Sequence, residues 1–137
     1  MGKLPPNELE QVLRYVKWSS SVVVPPGVGL DSGVHRVRGG LCAVVSTDPC
    51  LAVPTPWFGW LLIHYAASDV AVFGVQPRYC AVNLLAPRGT KKHVFQRVTR
   101  DAQEAASELG MSIVTGHTGR YEALRELVGA CTAYGFA

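Results

Sequence analysis

The sequence predicts an α+β fold in which a mixed β-sheet carries its helices on one face. Strand-like and helix-like segments alternate from residue 41 to residue 115. The two helical segments in that stretch, 57–74 and 91–109, are long enough to connect strands by crossovers. Two short strand-like runs, 21–24 and 34–38, come before them and resemble a hairpin. Crossover units combined with such a pair predict a mixed sheet, with helices covering one side.

The first part of the chain predicts one helix and three strands. Apolar residues recur at helical spacing within 7–17, and Asn7 can cap this helix after two prolines. A glycine-containing loop at 27–33 separates the two short strands. A stronger strand spans 41–47, and we expect it to end at Asp48-Pro49, because this pair commonly begins a turn.

The second part predicts two helices and three strands. Segment 57–74 is apolar on nearly every side, so we expect a largely buried helix. We expect Thr90 to cap the next helix and Gly110 to end it. The other elements are a strand at 78–86, a helix at 91–109, strands at 111–115 and 127–134, and a loop at 116–119. The sheet face without helices must be covered by something, and a partner subunit is the natural candidate.

Composition excludes several classes of protein. The chain has 137 residues, 48% of them apolar, which suits one domain with a real core. The net charge of +3 is mild, and no aromatic and basic cluster indicates nucleic-acid binding. The start of the chain lacks the apolar core of a signal peptide, and polar residues interrupt segment 57–74, which argues against a membrane span. We therefore expect a cytoplasmic protein. Its four cysteines have no metal-binding or redox spacing.

Three aspartates are the main candidates for a site. Asp69 lies within the apolar segment, and no Lys or Arg occurs between Arg38 and Arg78 to neutralise it. A buried, unpaired carboxylate costs several kcal/mol or more, so Asp69 needs a proton, a cation or a metal. Asp31 in the glycine loop and Asp48 after its strand could join it as hard oxygen ligands for Mg²⁺. Alternatively, Asp31 and Asp48 are turn or cap residues, and backbone donors satisfy Asp69.

Two small-residue loops are candidates for contacting phosphate. Gly27 and Gly29 could let backbone N–H groups approach an anion, although the run matches no established phosphate motif and is equally read as a turn. Gly116, His117 and Thr118 follow a predicted strand, where Thr118 could donate to phosphate and His117 could bind it or move a proton. His117 is otherwise a surface or core histidine. A weaker alternative is a metal site of His64, His117 and aspartates.

These pieces occur in an order found in a known family. The order is a glycine loop with Asp31, a strand ending Thr-Asp-Pro, a helix ending in the segment from His64 to Arg78, and a strand ending Gly-His-Thr. It resembles the N-terminal domain of the AIR synthase (aminoimidazole ribonucleotide synthase) superfamily over roughly residues 7–137. The segment from His64 to Arg78 is the most specific part. The amino-acid sequence of this segment is most similar to those of archaeal AIR synthase-related proteins that resemble the hydrogenase-maturation dehydratase.

The resemblance implies a ferredoxin-like domain in an ATP-dependent enzyme that uses Mg²⁺, with phosphoryl-transfer or cyclo-ligase and dehydratase chemistry. It also implies a homodimer in which the two sheets pair into a β-barrel and nucleotide lies near the interface. By position, Asp31, Asp48 and Asp69 match the family's metal-binding aspartates. The expected nucleotide contacts are those three together with Gly27, Gly29, Gly116, His117 and Thr118.

The chain departs from the family pattern at several positions. The first loop has one of two usual acidic residues, Ser68 replaces an Asn, Thr115 replaces a Gly, and Gly119 stands where Glu is common. We expect residues 1–137 to form a single N-terminal domain, with the family's C-terminal domain absent and catalysis incomplete without it. The alternative is a non-catalytic dimerisation or regulatory module that retains the fold.

Overall fold

The computed structural model describes residues 2–137 as one sheet and its helices. The helices are α1 (Pro6–Leu13), α2 (Thr55–Ala71) and α3 (Lys92–Glu108), with a 3-10 turn at Arg38–Gly40. The strands are β1 (Val22–Val24), β2 (Gly33–Arg36), β3 (Cys42–Cys50), β4 (Tyr79–Pro87), β5 (Ser112–Tyr121) and β6 (Val128–Phe136). Each predicted helix and strand is therefore present, with shifted ends.

The six strands form one mixed sheet in the order β1-β2-β3-β6-β4-β5. Only β4 and β5 pair in parallel, and every other neighbouring pair is antiparallel. Strand β6 follows all the others in the chain but lies between β3 and β4. Helices α2 and α3 pack on one face of this sheet, as the predicted α+β class requires.

The core lies between the sheet and the pair α2–α3. Alternate residues of the central strands point into it, including the buried Cys50, Cys80 and Cys131, which meet Phe58 and Leu62 of α2. These thiols behave as small apolar side chains, and burial raises the pKa of the Cys50 thiol to about 11. All three cysteines are therefore core residues.

Helices α2 and α3 approach closely at Gly59. A Cβ atom added there would overlap Val98 O and lie 2.7 Å from the backbone nitrogen of Ala102. Only a residue without a side chain permits this distance, so Gly59 determines how near the two helices can lie.

Several local predictions were wrong in detail. No side chain caps α1 or α3, because their N-cap residues are Pro5 and Lys91 rather than Asn7 and Thr90. Strand β3 continues through Asp48-Pro49 to Cys50. Gly110 does end α3 with a left-handed φ of +67°.

Two longer elements also differ from expectation. The Gly-His-Thr residues lie inside β5 rather than in a loop, since β5 pairs with β4 along its whole length. Helix α2 is buried on one side only. Its buried residues are Phe58, Gly59, Leu62, Ile63, Ala66, Ala67 and Val70, whereas Trp57, Trp60, Tyr65 and Val72 are exposed.

The opposite face of the sheet carries an aromatic cluster and no packed helix pair. Tyr79 lies 5.5 Å from Tyr134 and 6.3 Å from Phe136 between ring centroids. Tyr79 and Phe136 remain 40% and 43% exposed. An apolar face of this kind is typical of a surface that contacts another chain. Within residues 2–137, no helix combines the length and apolar character needed to cross a bilayer.

Candidate functional site

Two of the predicted aspartates meet where β3 passes under α2. Asp48 points to the helix side of the sheet, and its carboxyl group is within hydrogen-bonding reach of Asp69. Burial raises the pKa of Asp48 to about 6, and the neighbouring Asp69 carboxylate contributes to this rise through a hydrogen bond and like charge. At neutral pH the pair is therefore a concentrated negative charge that favours a cation.

Two serines that sequence reasoning missed hold Asp69 in place. Ser46 Oγ lies 3.1 Å from Asp69 Oδ2 and 2.9 Å from the carbonyl oxygen of Asp31. Its single proton can serve only one of these acceptors well at a time. Ser32 donates to the carbonyl oxygen of Asp69 at 2.8 Å. Both serines are buried. Strand alternation puts Ser46 on the same face as Asp48, which is the signal that could have identified it.

Asp31 lies at the rim of the site and has a cationic neighbour. The Lys3 ammonium is 3.1 Å from Asp31 Oδ1; the Lys3 side chain is 81% exposed and that of Asp31 is 45% exposed. The hydrogen bond and charge of Asp31 raise the pKa of Lys3, with smaller contributions from Asp48 and Asp69. All three carboxylates thus raise the pKa of the same lysine, which indicates that they lie in one region of the molecule.

An open cavity of about 470 Å³ borders this region, within the usual range for small-molecule sites. Gly27, Asp31, Ser46 and Thr47 line it on one side, and Leu9 and Leu13 of α1 line it on the other. Gly29 adopts a left-handed φ of +80° in the turn that precedes Asp31. The two predicted loop glycines therefore belong to the loop that borders the cavity.

The structure does not bring the other predicted loop to the aspartates within one chain. Asp48 pairs with Cys131 on β6. Cys131 pairs with Val82 on β4, which pairs with Gly116 on β5. Gly116 thus shares a row with Asp48 but lies three strand spacings away, or about 14 Å. Gly116 and Thr118 instead border a separate cavity of about 270 Å³.

His117 lies with Tyr121 rather than near the aspartates. Its Nε2 atom is 2.5 Å from Tyr121 Oη, and both side chains are exposed on β5. His64 stacks on Trp60 with ring centroids 3.7 Å apart. Within residues 2–137, no group of three or more His, Cys, Asp or Glu side chains is arranged to hold a metal ion. The suggested site of two histidines and aspartates is therefore not formed.

The Asp48–Asp69 pair nevertheless fits Mg²⁺. This ion commonly takes only one or two carboxylates from the protein and completes its shell with water and phosphate oxygens. Burial and the neighbouring Asp69 carboxylate together raise the pKa of Asp48, and a bound divalent cation would offset both effects. The donor chemistry suits such an ion. The adjoining cavity is lined by Asp31 and Ser46 and not by the two aspartates themselves.

Fold and site together define an α+β domain with a paired-carboxylate site beside an open cavity. Residues 29–137 match the family described as AIR synthase related protein, N-terminal domain. The chain belongs to this family, and the resemblance predicted from the sequence is confirmed.

Curated relatives carry related names. The carbamoyl dehydratase HypE of Cupriavidus necator is 30% identical over 94 residues, which cover 66% of this chain and 27% of that protein. The selenide, water dikinase of Myxococcus xanthus is 28% identical over 124 residues, covering 87% of this chain and 35% of that protein. The chain spans about a third of the length of these relatives.

Solved structures share the fold. A protein from Thermus thermophilus superposes with a TM-score of 0.80 at 21% identity, over 97% of this chain and 44% of that one. The hydrogenase maturation protein HypE, in a structure with ATP, has a TM-score of 0.63 at 30% identity over 77% of this chain and 32% of that one.

Proposed function

We propose that this chain is the ATP- and Mg²⁺-binding domain of an AIR synthase-related enzyme. The observation that carries the proposal is the Asp48–Asp69 pair, which Ser46 links to the cavity bordered by the glycine loop. Two relatives support the proposal: one is named a selenide, water dikinase, and the structure of the other, HypE, was solved in complex with ATP. The reaction class we propose is phosphoryl transfer or the related cyclo-ligase and dehydratase chemistry.

In this proposal each residue has a defined part. Asp48 and Asp69 would hold Mg²⁺, which when bound supplies positive charge to polyphosphate oxygens. Asp31, which lies at the rim beside Lys3, would contact the ion only through its shell of water. Gly27 and Gly29 would let backbone N–H groups face the phosphates.

We further propose a homodimer formed through the open face of the sheet. The aromatic cluster of Tyr79, Tyr134 and Phe136 supplies an apolar surface for it. A second copy is also the simplest source of a nearby Gly116-His117-Thr118 strand, since that strand is about 14 Å from Asp48 within one chain. Four free cysteines, three of them buried, are in keeping with a reducing compartment such as the cytoplasm.

Isothermal titration calorimetry with ATP tests the proposal. ATP with Mg²⁺ should bind the wild-type chain, and ATP with a chelator should bind far more weakly. Asp69→Asn should reduce the affinity at least tenfold, because it removes a ligand and half of the negative pair. Glu126→Gln, an exposed carboxylate outside this site, is the matched control and should leave the affinity unchanged. Equal binding by the wild type and Asp69→Asn would refute the assignment.

The separation of Gly116 from Asp48 favours one alternative, a dimerisation or regulatory module without turnover. This alternative predicts a folded dimer that releases no phosphate from ATP. Phosphate release above background that is lost in Asp69→Asn would exclude it.

A further inference from the structure

The outward face of α2 exposes large apolar side chains that the fold does not use. Trp57 is 62% exposed and Trp60 is 41% exposed, although seven residues on the other side of α2 are buried. Trp57, Trp60 and His64 follow one another at helical spacing, so they form one stripe. Exposed aromatic residues gathered in a stripe mark an interaction surface more often than scattered ones do.

Trp57 and Trp60 of this stripe form one wall of a groove between α2 and α3, which we call the tryptophan groove. The groove has a volume of about 310 Å³ and is lined by Trp57, Trp60, Arg97, Asp101, Glu104 and Glu108. The stacking of His64 on Trp60 fixes the orientation of the Trp60 ring, at an interplanar angle of 19°. A held indole ring is a better stacking platform than a mobile one, because less side-chain freedom is lost on binding.

The opposite wall of the tryptophan groove is acidic. Asp101 is engaged by Arg97 at 3.7 Å and by Arg100 at 3.6 Å. In the described part of the chain, Glu104 and Glu108 take part in no salt bridge. Three carboxylates against the guanidinium groups of Arg97 and Arg100 still leave the groove net negative, whereas the whole chain carries +3.

We propose that the tryptophan groove binds an arginine-bearing segment of a partner protein. A guanidinium group can stack on an indole ring while its N–H groups donate to the carboxylates of Glu104 and Glu108. A nucleotide is a poor occupant, because these carboxylates repel phosphate. The groove lies on the α2–α3 pair, on the helix side of the sheet, so it is separate from the open face proposed for the dimer.

A peptide titration tests this proposal with the whole chain. The probes are a blocked tetra-arginine peptide, its tetra-lysine analogue and a tetra-glutamate peptide, followed by tryptophan fluorescence and calorimetry. Tetra-arginine should bind more tightly than tetra-lysine, and tetra-glutamate should not bind. Trp60→Ala should weaken tetra-arginine binding about fivefold, in line with the loss of one cation–π contact. The double variant Glu104→Gln and Glu108→Gln should weaken it similarly and flatten its salt dependence.

Matched controls separate the tryptophan groove from general attraction to acidic surfaces. Trp18→Phe removes another exposed tryptophan outside the groove and should leave affinity unchanged. Asp69→Asn tests whether the peptide binds at the aspartates instead. Equal tetra-arginine affinity in Trp60→Ala and the wild type, or loss of binding only in Asp69→Asn, overturns the proposal. So does sedimentation showing that Trp60→Ala abolishes self-association, since the occupant would then be a second copy.

Discussion

Replacing Asp48 by Asn should stabilise the protein above pH 6 and have little effect near pH 3.5. The folded state raises the pKa of Asp48 from 3.8 to about 6, chiefly through burial and secondarily through Asp69. Between these values the native state holds a proton that the unfolded chain has lost. The free energy of unfolding therefore falls as the pH rises through this window, and asparagine, which cannot ionise, escapes the loss.

The size of the effect follows from the shift. Two pKa units correspond to roughly 3 kcal/mol if the group were fully shielded from water. Asp48 is only partly buried, and solvent screening reduces the expected gain to about 1 kcal/mol at pH 8. The same pair should make Mg²⁺ stabilise the wild type more than the variant, so the substitution exchanges ion binding for stability.

Urea unfolding followed by circular dichroism measures this directly. The wild type, Asp48→Asn and Glu126→Gln should be compared at several pH values between about 3.5 and 8. The difference between the wild type and Asp48→Asn should grow from pH 3.8 to about 6 and then stay constant. A difference that does not vary with pH, or a variant less stable than the wild type at pH 8, would refute the reasoning.

Three further predictions follow from the packing and the site. Gly59→Ala should lower the free energy of urea unfolding by about 2–3 kcal/mol, because the new Cβ would overlap the backbone of α3. Gly89→Ala, whose Cβ would meet no atom within 4 Å, should lower it by less than about 0.5 kcal/mol. Equal losses in the two variants would contradict the close approach of the helices. Ser46→Ala should lower calorimetric affinity for ATP with Mg²⁺ about tenfold by releasing Asp69, and an unchanged affinity would remove Ser46 from the site. Tyr79→Glu should convert a dimer to a monomer in sedimentation, and a persistent dimer would exclude the open face.

Local sequence patterns were sufficient to locate the helices and strands of this fold. Periodicity reports which face of an element is apolar, and it identified α3 and the strands from their own residues. The ends depended on neighbours that no local pattern contains. Strand β3 passes through Pro49 because β2 pairs with it only as far as Val45, so the missing N–H breaks no bond to β2. The exposed stripe on α2 was missed because an all-apolar segment gives no indication of which side faces solvent.

The site was predictable in its residue types but not in its arrangement. A carboxylate in an apolar helix indicated that Asp69 needs a partner, and the structure provides Asp48 and Ser46. The distance between Asp48 and Gly116 depends on strand order, because β6 and β4 separate their strands. That order comes from long-range pairing, which neither motif reveals by itself.

The central position of β6 has a consequence for how the chain folds during synthesis. Residues 128–136 are made after every other strand, yet they join β3 to β4. Until these residues leave the ribosome, β3 of the β1-β2-β3 half and β4 of the β4-β5 half each have an unpaired edge. Unpaired strand edges of this kind promote aggregation. The long sequence separation between β3 and β6 also makes their pairing slow to form. A ribosome stall before residue 128 should therefore yield a protease-sensitive nascent chain, with protection acquired in one step once β6 has emerged.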